Sequence, residues 1–334
     1  MKHSTVEKAV SFFYPFLKEE TKIVFFGGEP LLAFDIVKKT VSLLEKINKK
    51  GEKKLTFYLS TNGSLVTDEI LQFFHLHGFS LLLSFDGLAQ DTGRKHGTLA
   101  LTRALIPRIR QTGIDFSINC VFTPETAGYF SKSVKNIIEA GGTEIIVSPS
   151  CIAPWDKVAL QTLEKELDRL TDFLLCYYKE KGIIPVTYFR QAASPFRKGF
   201  ACTAGRDRIS ITPGENLWGC FLFHPYLKDK EESSDYRTYS FGKLDDFIEN
   251  HEVLYPKILS NYSLLKQQYF LTGNRFCFLC EDRKDCKVCP VDAAYATSFI
   301  GKIPTWYCSL SRTLRKGRER FLEAMGREII PMSQ

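Results

Sequence analysis

Seven of the ten cysteines fall within the last 133 residues, as Cys202, Cys220, Cys277, Cys280, Cys286, Cys289 and Cys308. Two C-x2-C pairs, Cys277/Cys280 and Cys286/Cys289, stand five residues apart. Thiolates two residues apart grip one ion or cluster from a tight turn, so this density commits the C-terminal third to a fold built around metal. Zinc ribbons separate their knuckles by about 15–20 residues, and a zinc site on the paired knuckles would leave Cys202, Cys220 and Cys308 without a role. Iron–sulfur clusters accept several thiolates at once, so the array reads as iron–sulfur or zinc, with iron–sulfur the expectation. Cys120, Cys151 and Cys176 lie in or near apolar segments and are expected to be buried as small hydrophobes.

The composition bounds the rest. A chain of 334 residues, 44% hydrophobic and 25% charged, can bury one large core or two ordinary ones, and two domains are expected. The apolar stretch from Ala9 to Leu17 is broken by Ser11 and Pro15 and ends in Lys18-Glu19-Glu20 without a small-residue cleavage site, which fits neither a signal peptide nor a membrane span. A cytoplasmic location follows as an expectation, since thiols stay reduced there and ligate metal. The net charge of +7 is a mild bias compatible with an acidic peptide or a phosphate-bearing partner. No basic stripe of the kind that binds nucleic acid is present.

Between these limits, short β-rich runs alternate with helical periodicity. Lys22–Gly28, Leu55–Gly63, Ser80–Gly87, Asp115–Thr123 and Thr143–Ser150 read as strands. Leu32–Lys49, Thr67–His77, Leu99–Gln111 and Gly128–Ala140 read as helices, with Thr67 a cap before Asp68-Glu69, and Thr162–Lys181 as a charged amphipathic helix. The alternation predicts parallel βα units with buried strands. The pattern dissolves over Ile183–Lys198, which sets a domain boundary there, at 182/183. Lys228–Arg237 is expected to be a polar surface loop. Glycines and polar groups collect where strands end: Phe25-Phe26-Gly27-Gly28-Glu29-Pro30, Ser60-Thr61-Asn62-Gly63 and Ser84-Phe85-Asp86-Gly87. Each alone is an ordinary turn. Three in succession on the carboxyl rim, where α/β folds place ligands, point to a binding face.

In order and spacing, FFGGEPLL, STNGSLVTDEI and LSFDG followed by Asp91 and Arg94 resemble the core of radical S-adenosylmethionine (SAM) enzymes. The cysteine array resembles the SPASM domain that follows this core in peptide-modifying members. The resemblance implies an α/β fold, a partial (β/α)6 barrel over residues 1–182, followed by a linker and a small cysteine-rich SPASM domain over 183–334. It implies that Gly27, Gly28, Glu29 and Pro30 hold the amino group of SAM, that Asn62 and Ser84 lie near its ribose, and that Arg94 lies near its carboxylate. These residue types suit those groups: carbonyls for an ammonium, amide and hydroxyl for a ribose, a guanidinium fork for a carboxylate. Asp86 and Asp91 read equally well as strand-end caps.

By the same resemblance, Cys277, Cys280, Cys286 and Cys308 would hold one auxiliary 4Fe–4S cluster, and Cys202, Cys220 and Cys289 a second. Seven thiolates leave one iron of two such clusters without a cysteine. Only two residues separate Cys286 from Cys289, where the family usually has three. The hairpin Ile209–Cys220 would turn at Pro213-Gly214. His224, four residues after Cys220, is expected at the surface, with completion of the open cluster as the alternative, and His75 and His77 are expected to meet the helix dipole or solvent. Phe221 stands where the sulfatase-maturing branch carries an aspartate proton acceptor, so no general base can be named.

One departure is large: no C-x3-C-x2-C loop, the family's site for the cluster that cleaves SAM, occurs in the 334 residues. Met1–Leu17 reads as the first barrel helix, so the chain is expected to begin one strand late, by truncation, gene splitting or degeneration. The implied partners are a peptide or protein substrate and an electron donor such as a flavodoxin or ferredoxin. The chain alone is expected not to cleave SAM. The competing expectation is a catalytically inactive, metal-stabilised peptide-binding homologue.

Overall fold

The apolar runs become a five-stranded parallel sheet ordered β1-β2-β3-β4-β5, with β1 at Glu20–Phe25, β2 at Lys54–Thr61, β3 at Phe79–Ser84, β4 at Asp115–Phe122 and β5 at Ile145–Pro149. The computed structural model describes residues 1–190, 202–263, 265, 275–284 and 288–326. The strictly sequential order is what repeated βα crossovers of one hand produce. The helices between the strands are α2 (Phe34–Ile47), α3 (Asp68–Leu76), α4 (Leu99–Gln111) and α5 (Phe130–Glu139), while α1 (His3–Phe13) precedes β1. These are the parallel βα units that the alternation predicts, in the α/β partial barrel that the resemblance implies. Among the described residues no helix is long and apolar enough to cross a membrane.

The chain divides into two compact units, Met1–Tyr58 with Phe196–Pro304, and Leu59–Pro195 with Thr305–Gln334. In the second unit β3 alternates buried and half-buried residues, and Leu81, Leu83, Ile106, Ile118, Phe122 and Phe130 are at most 2% exposed. The open side of β5 is closed by the following chain: Ile145 donates its N–H to Pro185 O, and Thr187 Oγ1 donates to Ile145 O. Helix α6 runs Lys157–Lys181, starting five residues before the expected Thr162, because the Asp156 side chain accepts from Ala159 N at 2.8 Å and caps it there. Gly182, at φ +70°, ends it. Helix α9 (Thr305–Ala324) packs on α6 through Gly317, where a Cβ would lie 2.9 Å from the Leu167 side chain, and Arg320 reaches Asp168 at 2.6 Å.

The first unit has its own core beneath a small antiparallel sheet of β6 (Ser210–Ile211), β7 (Asn216–Trp218) and β8 (Ser240–Lys243). The core is aromatic: Trp218, Phe223, Tyr239, Phe241, Phe247 and Tyr262 are all buried, with Phe241 and Tyr262 stacked at 5.5 Å. Helix α7 (Leu244–Ser263), kinked at Asn250, packs on β8, and α8 spans Pro290–Thr297. The hairpin at Ile209–Cys220 forms as expected, but its left-handed residue is Glu215 (φ +67°), whose carboxylate accepts from Thr5 Oγ1. The polar stretch Lys228–Arg237 is not all loop: Ser233 caps a helix at Ser234–Tyr239, whose Tyr239 joins the core. Of the three cysteines expected in cores, only Cys120 is buried; Cys151 is half-buried and Cys176 exposed. On amphipathic α6, Cys176 lies two residues past the buried Leu174, on the face turned away from the core.

Candidate functional site

In the first unit the chain leaves β1 at Phe25 and enters Gly27-Gly28-Glu29-Pro30. Glu29 Oε1 accepts from Leu31 N at 3.1 Å, and Pro30 opens the short 3₁₀ turn Pro30–Ala33. Gly27 lies at φ +156°, a region that side-chain-bearing residues avoid. Gly28 has no such excuse: its φ is not positive, and a Cβ on either glycine would meet nothing within 4 Å. The protein's own packing therefore does not ask for a glycine at 28, and a bare backbone beside open space is what a closely approaching ligand requires. The preceding side chain, Phe26, is 48% exposed, and its ring lies 4.2 Å from that of Phe221.

Phe221 follows Cys220, and of the array's thiols in this unit Cys202, Cys220 and Cys289 pack against the same core. Gly205 N donates to Gly219 O at 3.0 Å, which ties the chain just after Cys202 to the residue before Cys220. A Cβ on Gly219 would lie 2.5 Å from Gly205 N and 2.6 Å from the Tyr262 ring, so only glycine permits this approach. Tyr262 Oη accepts from Gly219 N at 2.8 Å and donates to Tyr239 O at 2.6 Å, seating the pair on the aromatic core. Cys289 is the extended residue immediately before α8. Burial, and then the nearby Cys220, push the Cys202 thiol up. Cys289 is pushed up to about 12 by burial, by the charge of Asp292 and to a lesser degree by Cys220. Cys220 thus lies within electrostatic reach of both. Such thiols stay protonated at neutral pH until a metal displaces the proton, and soft half-buried sulfurs suit iron or zinc.

The other cysteines are placed differently. Cys277 and Cys280 sit on one helical turn, with Cys280 N donating to Cys277 O at 3.3 Å, and both are half-buried. Cys286 lies outside the described residues. Cys308 is in the first turn of α9, in the second unit. Among the described residues no three His, Cys, Asp or Glu side chains already stand as a closed metal-binding group. His224 is half-buried rather than free at the surface; its Nδ1 has no partner among the described residues, and burial, followed by Lys228, lowers its proton affinity.

The second unit carries Asn62, Ser84 and Arg94. Asn62 Oδ1 accepts from Ser64 N at 2.8 Å, shaping the turn after β2. Ser84 ends β3 opposite Asn119 of β4, whose Oδ1 accepts from Ser148 Oγ at 2.9 Å, so a polar row lines these strand ends. Gly63 and Gly87, unlike Gly28, answer to packing: a Cβ would lie 2.8 Å from Leu105 at Gly63 and 2.4 Å from Ser133 O at Gly87. The two doubtful aspartates separate. Asp91 is a cap, accepting from Thr98 N and Leu99 N at 2.9 Å each; desolvation opposes its ionisation, yet these N–H groups prevail and lower its proton affinity. Asp86 is no helix cap. It is 2% exposed and accepts from Arg94 Nε at 2.6 Å, Arg94 Nη2 at 3.0 Å and Val121 N at 2.7 Å. Residue spacing alone did not reveal this clamp, because a bidentate pair eight residues apart depends on the tight helical turn Gln90–Gly93 between them.

Residues 6–137 match the model of the Radical SAM superfamily, and this span belongs to that superfamily. The chain is 22% identical over 293 residues to the radical SAM cyclopropyl synthase TigE of Paramaledivibacter caminithermalis, covering 83% of this chain and 55% of that protein. It is 31% identical over 137 residues to the serine-type anaerobic sulfatase-maturating enzyme of Klebsiella aerogenes, covering 39% and 34%. With the cysteine-type anaerobic sulfatase-maturating enzyme of Clostridium perfringens it shares 22% over 281 residues, covering 78% and 75%. The chain thus spans about half the length of the first relative and a third of the second. In fold it is similar to anSMEcpe with bound AdoMet (TM-score 0.74, 17% identity, 99% of this chain and 87% of that one), a protein also solved with a Kp18Cys peptide. It is also similar to Streptococcus suis SuiB bound to S-adenosylmethionine (TM-score 0.57, 16% identity, 92% and 70%).

Proposed function

We propose that this chain is the SAM-binding and auxiliary-cluster part of a radical SAM/SPASM enzyme that modifies a peptide or protein side chain. The observation that carries this is Gly28, a glycine that neither backbone conformation nor packing demands, in the loop after β1. The relatives support the class of substrate, since anSMEcpe is seen with the Kp18Cys peptide and SuiB is seen bound to the precursor peptide SuiA. In this reading residues 1–182 form the partial barrel and 183–334 the linker and SPASM domain. The glycine loop with Glu29 and Pro30 receives the ammonium of SAM, Asn62 and Ser84 the ribose, and Arg94 the carboxylate.

Cys202, Cys220 and Cys289 would hold one 4Fe–4S cluster, and Cys277, Cys280, Cys286 and Cys308 the other. Bound clusters supply electron transfer or an open iron for substrate. The Phe26–Phe221 pair offers an apolar wall and no proton acceptor at that position, which weakens a sulfatase-maturing reading. A flavodoxin or ferredoxin would deliver the electrons, in the cytoplasm.

The test is anaerobic reconstitution of the chain followed by iron and sulfide counts, electron paramagnetic resonance, and calorimetric titration with SAM. The expected result is close to eight irons and eight sulfides per chain, from two four-iron clusters, with saturable SAM binding and no SAM cleavage under strong reductant. Colourless protein holding only zinc would overturn the cluster assignment. Because the 334 residues contain no C-x3-C-x2-C, a second reading stands beside this one: a metal-stabilised homologue that binds a peptide without catalysis. It predicts peptide binding with no SAM binding in the same titration.

A further inference from the structure

We infer that Asp86 is a positioning residue that turns Arg94 into a preformed receptor for the carboxylate of SAM, an inference that rests on the SAM-binding reading above. The geometry is specific. A guanidinium carries five N–H donors, and Asp86 engages two of them side-on, through Nε at 2.6 Å and Nη2 at 3.0 Å. Arg94 makes no other side-chain hydrogen bond among the described residues, so three donors, both on Nη1 and one on Nη2, remain to offer. Its side chain is 27% exposed while that of Asp86 is 3% exposed, so the carboxylate is buried while the arginine side chain still reaches solvent.

Asp86 is itself held. Its Oδ1 also accepts from Val121 N of β4, its backbone N–H donates to Gln90 Oε1 at 3.0 Å, and Gln90 Nε2 donates to Thr98 Oγ1 at 3.1 Å. Asp91 ties Thr98 and Leu99 into the same knot. A free arginine side chain samples many rotamers and loses that freedom on binding an anion. This one has lost it already in the folded protein, and its fork geometry, not its charge alone, is what the clamp preserves. A compact cation such as lysine could neutralise Asp86 but could not present a second planar edge.

The test separates positioning from mere scaffolding by using two ligands, SAM and decarboxylated SAM, which differ in the one group at issue. Calorimetric affinities are measured for the reconstituted wild type, Asp86→Asn, Arg94→Lys and the double variant, with circular dichroism and thermal unfolding as the check that each folds. The inference expects each single variant to bind SAM roughly tenfold more weakly, the loss typical of a charge-assisted bidentate contact. Decarboxylated SAM should be bound within about twofold of wild type, and the double variant should be no worse than the poorer single one. Equal losses for both ligands would make Asp86 a structural residue and overturn the inference. Unchanged SAM affinity would remove Arg94 from the carboxylate and overturn it too. A wild-type protein that binds neither ligand would instead sink the SAM-binding reading itself, and this inference with it. Should Asp86→Asn not fold, Asp86→Glu takes its place: it keeps the buried charge but displaces the guanidinium fork, and should show the same loss for SAM and not for decarboxylated SAM, equal losses again overturning the inference.

Discussion

Replacing Gly28 and Gly87 by alanine, one at a time, should have opposite consequences, because the two glycines exist for different reasons. At Gly87 the backbone sits at φ +58°, which costs an L-residue about 1–2 kcal/mol. The new Cβ would also lie 2.4 Å from Ser133 O and 2.7 Å from Ser133 Cα, both backbone atoms of α5 that no side-chain rotation can move. Overpacking of that kind adds roughly 1–3 kcal/mol, so Gly87→Ala should lose about 2–5 kcal/mol of stability. At Gly28 φ is not positive and nothing lies within 4 Å, so the substitution costs no strain. Narrowing the unfolded ensemble should leave Gly28→Ala unchanged or up to about 1 kcal/mol more stable.

Urea unfolding of both variants beside wild type checks these signs, and calorimetric titration with SAM completes the pair. Gly28→Ala should keep its fold and lose at least roughly tenfold in SAM affinity, since a methyl group would occupy space the ligand needs. If Gly28→Ala binds SAM as wild type does, the argument from an unneeded glycine is wrong. If Gly87→Ala loses less than about 1 kcal/mol, the close approach of the Gly87 turn to α5 is wrong.

Thr67→Ala removes the side chain that accepts from Ile70 N at the start of α3 and should cost about 1 kcal/mol in the same urea assay. Cys202→Ala and Cys289→Ala should each lower reconstituted iron and sulfide by about half, as loss of one of two clusters requires, whereas Cys120→Ala, at a buried site on β4, should leave both counts unchanged. His224 carries a depressed proton affinity, from burial first and Lys228 second, so the unfolded chain takes up the proton before the folded one does. Stability should therefore fall as pH drops below the ordinary imidazole value of about 6.5, and His224→Gln should flatten that part of the profile, measured by urea unfolding at several pH values between 7.5 and 5.

Much of the barrel was legible because its signals are local. Leu99–Gln111 appears as a helix at the bounds read from the sequence, since the periodic apolar face, buried as Leu105, Ile106 and Ile109, starts and stops within one short segment. Thr67 declares its cap by standing before two acidic residues. The Asp156 cap starts α6 at Lys157, five residues before Thr162, where the sequence pattern begins it. Cys176 is exposed despite its apolar neighbours, because an apolar neighbourhood in sequence does not say which way a helix residue faces.

By itself, then, the amino-acid order determined the alternating α/β plan, the rim of glycine and polar turns, and the supply of thiols for metal, because each is written in residues that are neighbours along the chain or recur with the period of a helix or strand. Only the tertiary structure decided which of those groups meet. Asp86 clamps Arg94 against a β4 amide, Gly219 touches Gly205 over the Tyr262 ring, and Phe26 finds Phe221 almost two hundred residues away. Such meetings depend on how packed elements bring distant residues within a few ångströms, and no local preference encodes that distance.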